Sequence, residues 1–208
     1  VVRYLVDVEN GQKTGFFLDQ RFNRREVAFL SKGKRVLDCC THTGSFALNA
    51  AMGGAEKVTA MDISNDALTT AKENAFINGF EKKIEFVQAD VFDYLPQVES
   101  LKPAPYDFII LDPPAFTKSR KTTLDAVRGY TEINSRAMKA LPRGGYLATC
   151  SCSHFMEEKM FVKMLKNASE YAGVSLRLIK ACAQSPDHPE LMSVPETKYL
   201  KFYLLQIT

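Results

Sequence analysis

After Lys34, the apolar positions of the chain follow two alternating rhythms. Short, nearly unbroken apolar runs recur at Arg35–Cys39, Lys57–Asp62, Ile84–Gln88, Asp107–Asp112, Tyr146–Cys150, Val174–Ile179 and Tyr199–Ile207. Runs of this kind predict strands covered on both faces, as in a parallel sheet. The stretches between them have helical spacing. Ser64–Asn78 opens on an N-cap residue and closes at Asn78-Gly79, with Ala67, Leu68, Ala71 and Ala75 on one side and Asp66 and Glu73 on the other. In Leu124–Leu141, a step of 100° per residue gathers Arg128, Lys139, Glu132, Asp125 and Arg136 within about 80° of arc. Val127, Tyr130, Ile133, Ala137, Met138 and Leu141 take the opposite side, and Pro142 and Gly144-Gly145 stop the helix.

Alternating strands and helices predict an α/β fold with an open, doubly wound, mostly parallel sheet of seven strands. The ending departs from that rule. Between the last two strands lies a loop carrying Pro186, Pro189 and Pro195, too short for a crossover helix, so the final strand should be antiparallel. The expected organisation is an N-terminal segment over residues 1–33 that completes a ligand site, followed by the sheet domain over 34–208.

At 208 residues, with 46% hydrophobic and 25% charged, the chain is long enough to bury a core without disulfides or metals. No apolar run approaches the ~18 residues of a membrane span, and no secretory leader is visible. The first residue is Val1 rather than Met, which leads to the expectation of a fragment. The net charge of +3 is mild but unevenly spread. Residues 1–36 carry eight basic and four acidic groups, and residues 117–143 carry seven and two, so the remainder is acidic. Five cysteines (Cys39, Cys40, Cys150, Cys152, Cys182), an odd number without a C-x-x-C pair, point to free thiols in a reducing compartment and to no structural zinc.

Ligands of open α/β sheets bind beyond the carboxyl ends of the strands. The first strand ends in Asp38-Cys39-Cys40-Thr41-His42-Thr43-Gly44, which lacks the G-x-G-x-x-G dinucleotide fingerprint and disfavours a nicotinamide dehydrogenase. Asp62 ends the second strand at the spacing where an acid accepts from ribose hydroxyls, and Asp90 follows the third, placed for an exocyclic adenine amine. Each acid alone is more often a cap or turn residue. Three at successive strand ends favour a nucleoside-type cofactor. The fourth strand ends in Asp112-Pro113-Pro114, a corner rigid enough to hold a carboxylate against a planar base. The fifth ends in Cys150-Ser151-Cys152-Ser153-His154. Buried small hydrophobe is the usual role of a free cysteine, and it suits the other four; Cys152, last in its strand and flanked by hydroxyls, stands apart. His154 reads as an exposed loop residue.

Six separated strings carry a resemblance: G-Q-K-T-G-F-F-L-D-Q-R (Gly11–Arg21), V-L-D-C-C-T-H-T-G-S-F-A-L (Val36–Leu48), D-P-P-A-F-T-K-S-R (Asp112–Arg120), R-G-Y (Arg128–Tyr130), S-C-S (Ser151–Ser153) and D-H-P…P-E-T-K-Y-L-K (Asp187–Lys201). Together they resemble the class I, S-adenosylmethionine-dependent rRNA large-subunit methyltransferase I family, which forms 5-methylcytosine. A seven-stranded sheet with an antiparallel last strand is the usual architecture of such enzymes. The resemblance implies S-adenosylmethionine as cofactor and S-adenosylhomocysteine as product. It assigns Phe17, Asp19, Arg21, Asp38, Thr43, Gly44, Asp62, Asp90 and Asp112 to the cofactor site, and Cys152 as nucleophile with Asp112 beside it. It further implies ribosomal RNA as partner, a cytoplasmic location, no membrane association, and a PUA RNA-binding domain that this stretch of chain does not include. A homodimer is compatible with the family. Where some related 5-methylcytosine enzymes place a second cysteine after D-P-P, this chain has Ala115.

Attack of a thiolate on C6 of cytosine makes C5 nucleophilic, which explains the need for Cys152. Lys118–Lys121 and Arg128–Lys139 are the segments expected to face RNA backbone. Two other readings remain open at this stage: a nitrogen methyltransferase of the same fold with Cys152 a bystander, and an RNA-binding module without catalysis.

Overall fold

The computed structural model describes residues 1–9, 15–117, 119 and 122–208. Seven strands form one sheet: β1 (Arg35–Cys39), β2 (Lys57–Asp62), β3 (Ile84–Gln88), β4 (Phe108–Leu111), β5 (Tyr146–Ser151), β6 (Leu176–Cys182) and β7 (Lys201–Ile207). Their spatial order is β3-β2-β1-β4-β5-β7-β6. The first five are mutually parallel, and β7 enters antiparallel between β5 and β6. The chain reverses its direction across the sheet between β1 and β4, which opens a crevice at their carboxyl ends.

Among the described residues, six α-helices cover the two faces: α1 (Arg21–Leu30), α2 (Ser45–Met52), α3 (Asn65–Ile77), α4 (Val91–Ser100), α5 (Thr123–Ala140) and α6 (Glu158–Ala172). Strand periodicity sorts the core. Val36, Phe108, Ile110, Cys150 and Phe202 pack with Val27 of α1 and Phe46 and Leu48 of α2. Their neighbours Leu37, Cys39, Ile109, Leu111 and Tyr203 pack on the other face with Leu95, Tyr130, Ile133 and Phe161 of α4, α5 and α6. A strand exposes successive side chains to opposite faces, so a both-sides-covered sheet needs apolar residues at every position. That requirement produces the unbroken runs seen in the sequence.

The helix reading holds in detail. Ser64 caps α3 by accepting from Ala67 N at 3.2 Å, while Leu68, Ala71 and Ala75 are buried and Asp66 and Glu73 are exposed. On α5, Tyr130, Ile133, Ala137 and Met138 are buried. Four strands differ in bounds from expectation, among them β5, which runs one residue further to Ser151, so that Cys152 lies just past its end. β4 is shorter at both ends, β7 begins at Lys201, and β6 lies two to three residues later, at Leu176–Cys182. β6 is an edge strand with most residues exposed, so its sequence lacks the apolar continuity that marks its neighbours.

The N-terminal segment packs directly against the sheet domain. Arg3 N donates to Asn78 Oδ1 and Leu5 N to Asn74 Oδ1, at 2.8 and 2.6 Å, which lays this segment along α3. Gly53 lets α1 approach α2, because a Cβ there would lie 2.0 Å from the Ala28 carbonyl oxygen.

Candidate functional site

The turn from β1 into α2 is held by Asp38. Its Oδ2 accepts from Thr41 Oγ1 at 2.6 Å and from Ala47 N at 2.9 Å. The backbone adopts positive φ at Cys40, His42 and Gly44. Gly44 sits at φ 84°, where a Cβ would press on Ala71 of α3 at 3.2 Å. Thr43 is buried and its carbonyl accepts from Asn74 of α3 at 3.0 Å, which fixes the turn against that helix. Asp38 is fully buried and its Oδ1 has no partner. Burial pushes its carboxyl up to about 7, against the pull of its Thr41 and Ala47 bonds.

Asp62 joins this turn to the next one, with Oδ2 accepting from His42 N at 2.8 Å and Oδ1 from Ser64 N at 3.0 Å. Asp90 caps α4 through Oδ1, which accepts from Phe92 N at 2.8 Å. The capping role and the ligand role coexist there, since the cap uses one carboxylate oxygen. Phe17 reaches the same region, its ring edge-on to His42 at 5.3 Å between centroids. Phe17, Asp38, Thr43, Gly44, Asp62 and Asp90 are thus arrayed across the ends of β1, β2 and β3.

Asp19 and Arg21 also reach the loop between β6 and β7, while Asp19 stays within charge range of Asp112 and Arg24 and keeps a buried, unpartnered Oδ1. Asp19 Oδ2 accepts from the Tyr199 hydroxyl at 2.7 Å, and Arg21 faces Asp187 at 3.5 Å. Both side chains tie the N-terminal segment to the loop between β6 and β7. Gln20 between them turns to the end of β4 and donates to Asp112 Oδ1 at 3.1 Å. Arg24 of α1 is buried and donates to the Phe17 carbonyl at 2.9 Å, and its charge acts on Asp112 and Asp19.

Asp112 is half-buried behind Pro113 and Pro114. Burial raises its carboxyl to about 6, and the Asp19 charge adds to this; Cys150, Arg24 and Gln20 oppose it. At the end of β5, the Ser153 hydroxyl donates to the Thr117 carbonyl at 3.0 Å. That bond ties the loop after Asp112 to the residue following Cys152. The half-buried Cys152 therefore lies at the strand end adjoining the Asp112 corner. Cys39 and Cys150 are buried, as expected, whereas Cys40 and Cys182 are half-buried; burial pushes all four thiols up, keeping them neutral. His154 is exposed.

Of the basic segments expected to face RNA, Lys118, Arg120 and Lys121 lie outside the described residues. The α5 cations are largely neutralised by neighbours. Arg128 pairs with Asp125, Arg136 with Glu132 and Glu99, and Lys139 with Glu99. They line a shallow groove between α5 and α6. Among the described residues no group of His, Cys, Asp and Glu could hold a metal ion, and no helix is long and apolar enough to cross a membrane.

Sequence reading did not single out Gln20, Arg24, Tyr199 or Lys201. Gln20 lies inside the quoted Gly11–Arg21 string and Arg24 three residues beyond it, and the last two belong to the quoted P-E-T-K-Y-L-K string. Lys201 had one further signal, a lysine opening an otherwise apolar strand.

A family model described as S-adenosylmethionine-dependent methyltransferase matches residues 1–203. Ribosomal RNA large subunit methyltransferase I of Aeromonas hydrophila is 43% identical over 201 residues, covering 96% of this chain and 50% of that protein. The protein of the same name from Klebsiella pneumoniae is 39% identical over 207 residues, covering 99% and 52%. The chain spans about half the length of these curated relatives. Among solved structures, SMU.776 complexed with SAH superposes with a TM-score of 0.86 at 25% identity, covering 98% of this chain and 53% of that one. Trm5b from Pyrococcus abyssi, at 16% identity and TM-score 0.71, covers 100% and 53% and shares the fold.

Proposed function

Because this chain belongs to the S-adenosylmethionine-dependent methyltransferase family, we propose that it methylates C5 of a cytosine in large-subunit ribosomal RNA through a covalent adduct on Cys152. The placement of Cys152 beside the Asp112 corner carries this reading, together with the names of the curated relatives. A ribosomal RNA substrate would place the protein in the cytoplasm.

The residues present fit the family's cofactor. Asp38 Oδ1, buried and unpartnered, is an acceptor suited to an ammonium group. Asp62 is placed for ribose hydroxyls and the open oxygen of Asp90 for the adenine amine, while Phe17 supplies an apolar wall. Thr43 and Gly44 bring backbone close to the ligand. Asp19 and Arg21 hold the Phe17–Gln20 turn in place, and the buried, unpartnered Asp19 Oδ1 is a second open acceptor for the ligand. When bound, the cofactor's sulfonium supplies an electrophilic methyl group.

Cys152 loses its proton and its thiolate bonds to C6 of the cytosine, which leaves C5 able to take the methyl group. Asp112 holds the N3 and N4 edge. With its carboxyl raised to about 6, it carries a proton in part of the population and can share it with N3, which stabilises the adduct. Loss of the C5 proton to solvent then forms the C5=C6 bond and expels the Cys152 thiolate, while N3 returns its proton to Asp112. The target base must leave any helix first, at roughly a few kcal/mol.

The test is incubation with ribosomal RNA containing 5-fluorocytosine, in which the C5 substituent cannot leave as a proton. A denaturation-resistant RNA adduct, lost in Cys152→Ala, is expected. Methyl transfer that persists in Cys152→Ala would overturn the C5 reading in favour of nitrogen methylation.

A further inference from the structure

β7 opens with a lysine that the site described so far does not use. Lys201 pairs with Ser151 in the β5–β7 register and is only 4% exposed, ahead of the apolar run Phe202–Leu205. A buried ammonium is costly unless its protons are satisfied. Lys201 Nζ donates to the carbonyl oxygens of Ser153 and Tyr199, the latter at 2.8 Å. Cys152 is therefore the residue between the register partner of Lys201 and its hydrogen-bond acceptor. The ammonium crosses the strand end at the point where the thiol is carried.

We propose that Lys201 is a positioning residue for Cys152, fixing the Ser151–Ser153 strand end and stabilising the thiolate with its buried charge. The inference rests on the reading of Cys152 as nucleophile. A cation next to a cysteine lowers the thiol pKa from its free value of ~8.5. The same charge stabilises the thiolate as a leaving group when the S–C6 bond breaks, so it helps both the first step and the last.

The electrostatics agree with the geometry. Burial draws the Lys201 ammonium down to about 8, and Cys152 is the foremost group opposing that, ahead of Glu158; Lys198 adds to the depression. Glu158, at the start of α6, is committed to Lys198 and to the Tyr203 hydroxyl, both at 3.0 Å. Around Cys152 lie further groups whose protons must be reckoned with. Tyr130 of α5 and Tyr199 are both raised by burial, Tyr199 also by its bond to Asp19, and both feel the Cys152 charge. Cys150 is raised by burial and then by Asp112. Of the groups on which the Cys152 charge acts, Lys201 is the buried cation, and burial keeps Tyr130, Tyr199 and Cys150 uncharged near neutral pH.

The test follows alkylation of Cys152 by iodoacetamide against pH, read by peptide mass mapping on the folded chain without RNA. Wild type should titrate below ~8.5. Lys201→Met and Lys201→Gln should raise the midpoint by a unit or more, slowing alkylation near pH 7 about tenfold, while Lys201→Arg restores it. Binding of S-adenosylhomocysteine reports whether each variant is folded. A midpoint unchanged in a folded neutral variant overturns the proposal; if neither neutral variant folds, a wild-type midpoint at or above ~8.5 does so. Absence of the 5-fluorocytosine adduct would instead overturn the C5 reading, while an unshifted midpoint overturns the pairing alone.

Discussion

Gln20 Nε2 donates to Asp112 Oδ1 at 3.1 Å, joining the turn ahead of α1 to the end of β4. Gln20 is itself held by Asn23, whose Nδ2 donates to Gln20 Oε1 at 2.7 Å. The orientation of the Asp112 carboxylate is thus set by the N-terminal segment, 92 residues away in sequence. Replacing Gln20 with Leu removes a donor that favours the charged carboxylate, so the Asp112 pKa should rise above about 6. A hydrogen bond to a charged group contributes about 1.5–3 kcal/mol, or roughly 10–100-fold. Steady-state kinetics should show that loss in kcat/KM for RNA, with cofactor affinity nearly unchanged.

Asp62 bridges two turns through His42 N and Ser64 N. Asp62→Ala should weaken S-adenosylhomocysteine binding by roughly 10–100-fold, from lost ribose bonds and a loosened turn. Calorimetric titration measures it. Equal affinities in wild type and variant would remove Asp62 from the cofactor site.

Asp38 binds its proton more tightly folded, at about 7, than unfolded, at ~3.9. Between those values the native chain holds more protons than the unfolded one, so this group's contribution to stability falls as pH rises. Asp38→Asn, neutral throughout, should gain melting temperature relative to wild type from pH 4 to pH 8. A ligand ammonium beside Asp38 favours the carboxylate. Binding of S-adenosylhomocysteine near pH 6.5 should therefore release protons, seen as a buffer-dependent calorimetric enthalpy that Asp38→Asn lacks.

Gly53 has ordinary helical φ, so substitution there tests packing rather than backbone strain. A Cβ 2.0 Å from the Ala28 carbonyl forces α1 away from α2. Gly53→Ala should cost about 1–3 kcal/mol, the usual range for overpacking. Thermal unfolding should show a fall of several degrees, at about 2–4 °C per kcal/mol for a chain of this size.

Arg136 and Lys139 both face Glu99, and exposed ion pairs leave little net charge for a polyanion. Arg136→Ala and Lys139→Ala should leave the salt dependence of RNA binding almost unchanged, as filter binding at several salt concentrations would show. A slope reduced by about one per substitution would mean direct phosphate contact.

The strands were legible because the sheet is covered on both faces, and the order of acids at Asp38, Asp62 and Asp90 followed from the strand ends. β6 was misplaced because an edge strand has no such apolar requirement. What could not be read were meetings between distant segments. Gln20 reaches Asp112, Asp19 reaches Tyr199, and Lys201 crosses to Ser153. The chain gives the residue types for these bonds but not which fold contact pairs them. The α5 cations show the converse. Their stripe was visible, but Glu99, the acid that neutralises two of them, comes from α4.

The insertion of β7 between β5 and β6 has a consequence for biogenesis. On the ribosome, β1 to β5 emerge first and can pair in parallel as they appear, whereas β6 has no partner in the sheet until β7 is made. Both pairings of β7 thus come last in synthesis, and non-local strand contacts are slow to form. Because Lys201 arrives with that strand, a half-made chain carries Cys152 without its buried cation. If Lys201 stabilises the thiolate as proposed, Cys152 gains its full reactivity only once β7 is in place, so assembly order acts as a safety catch.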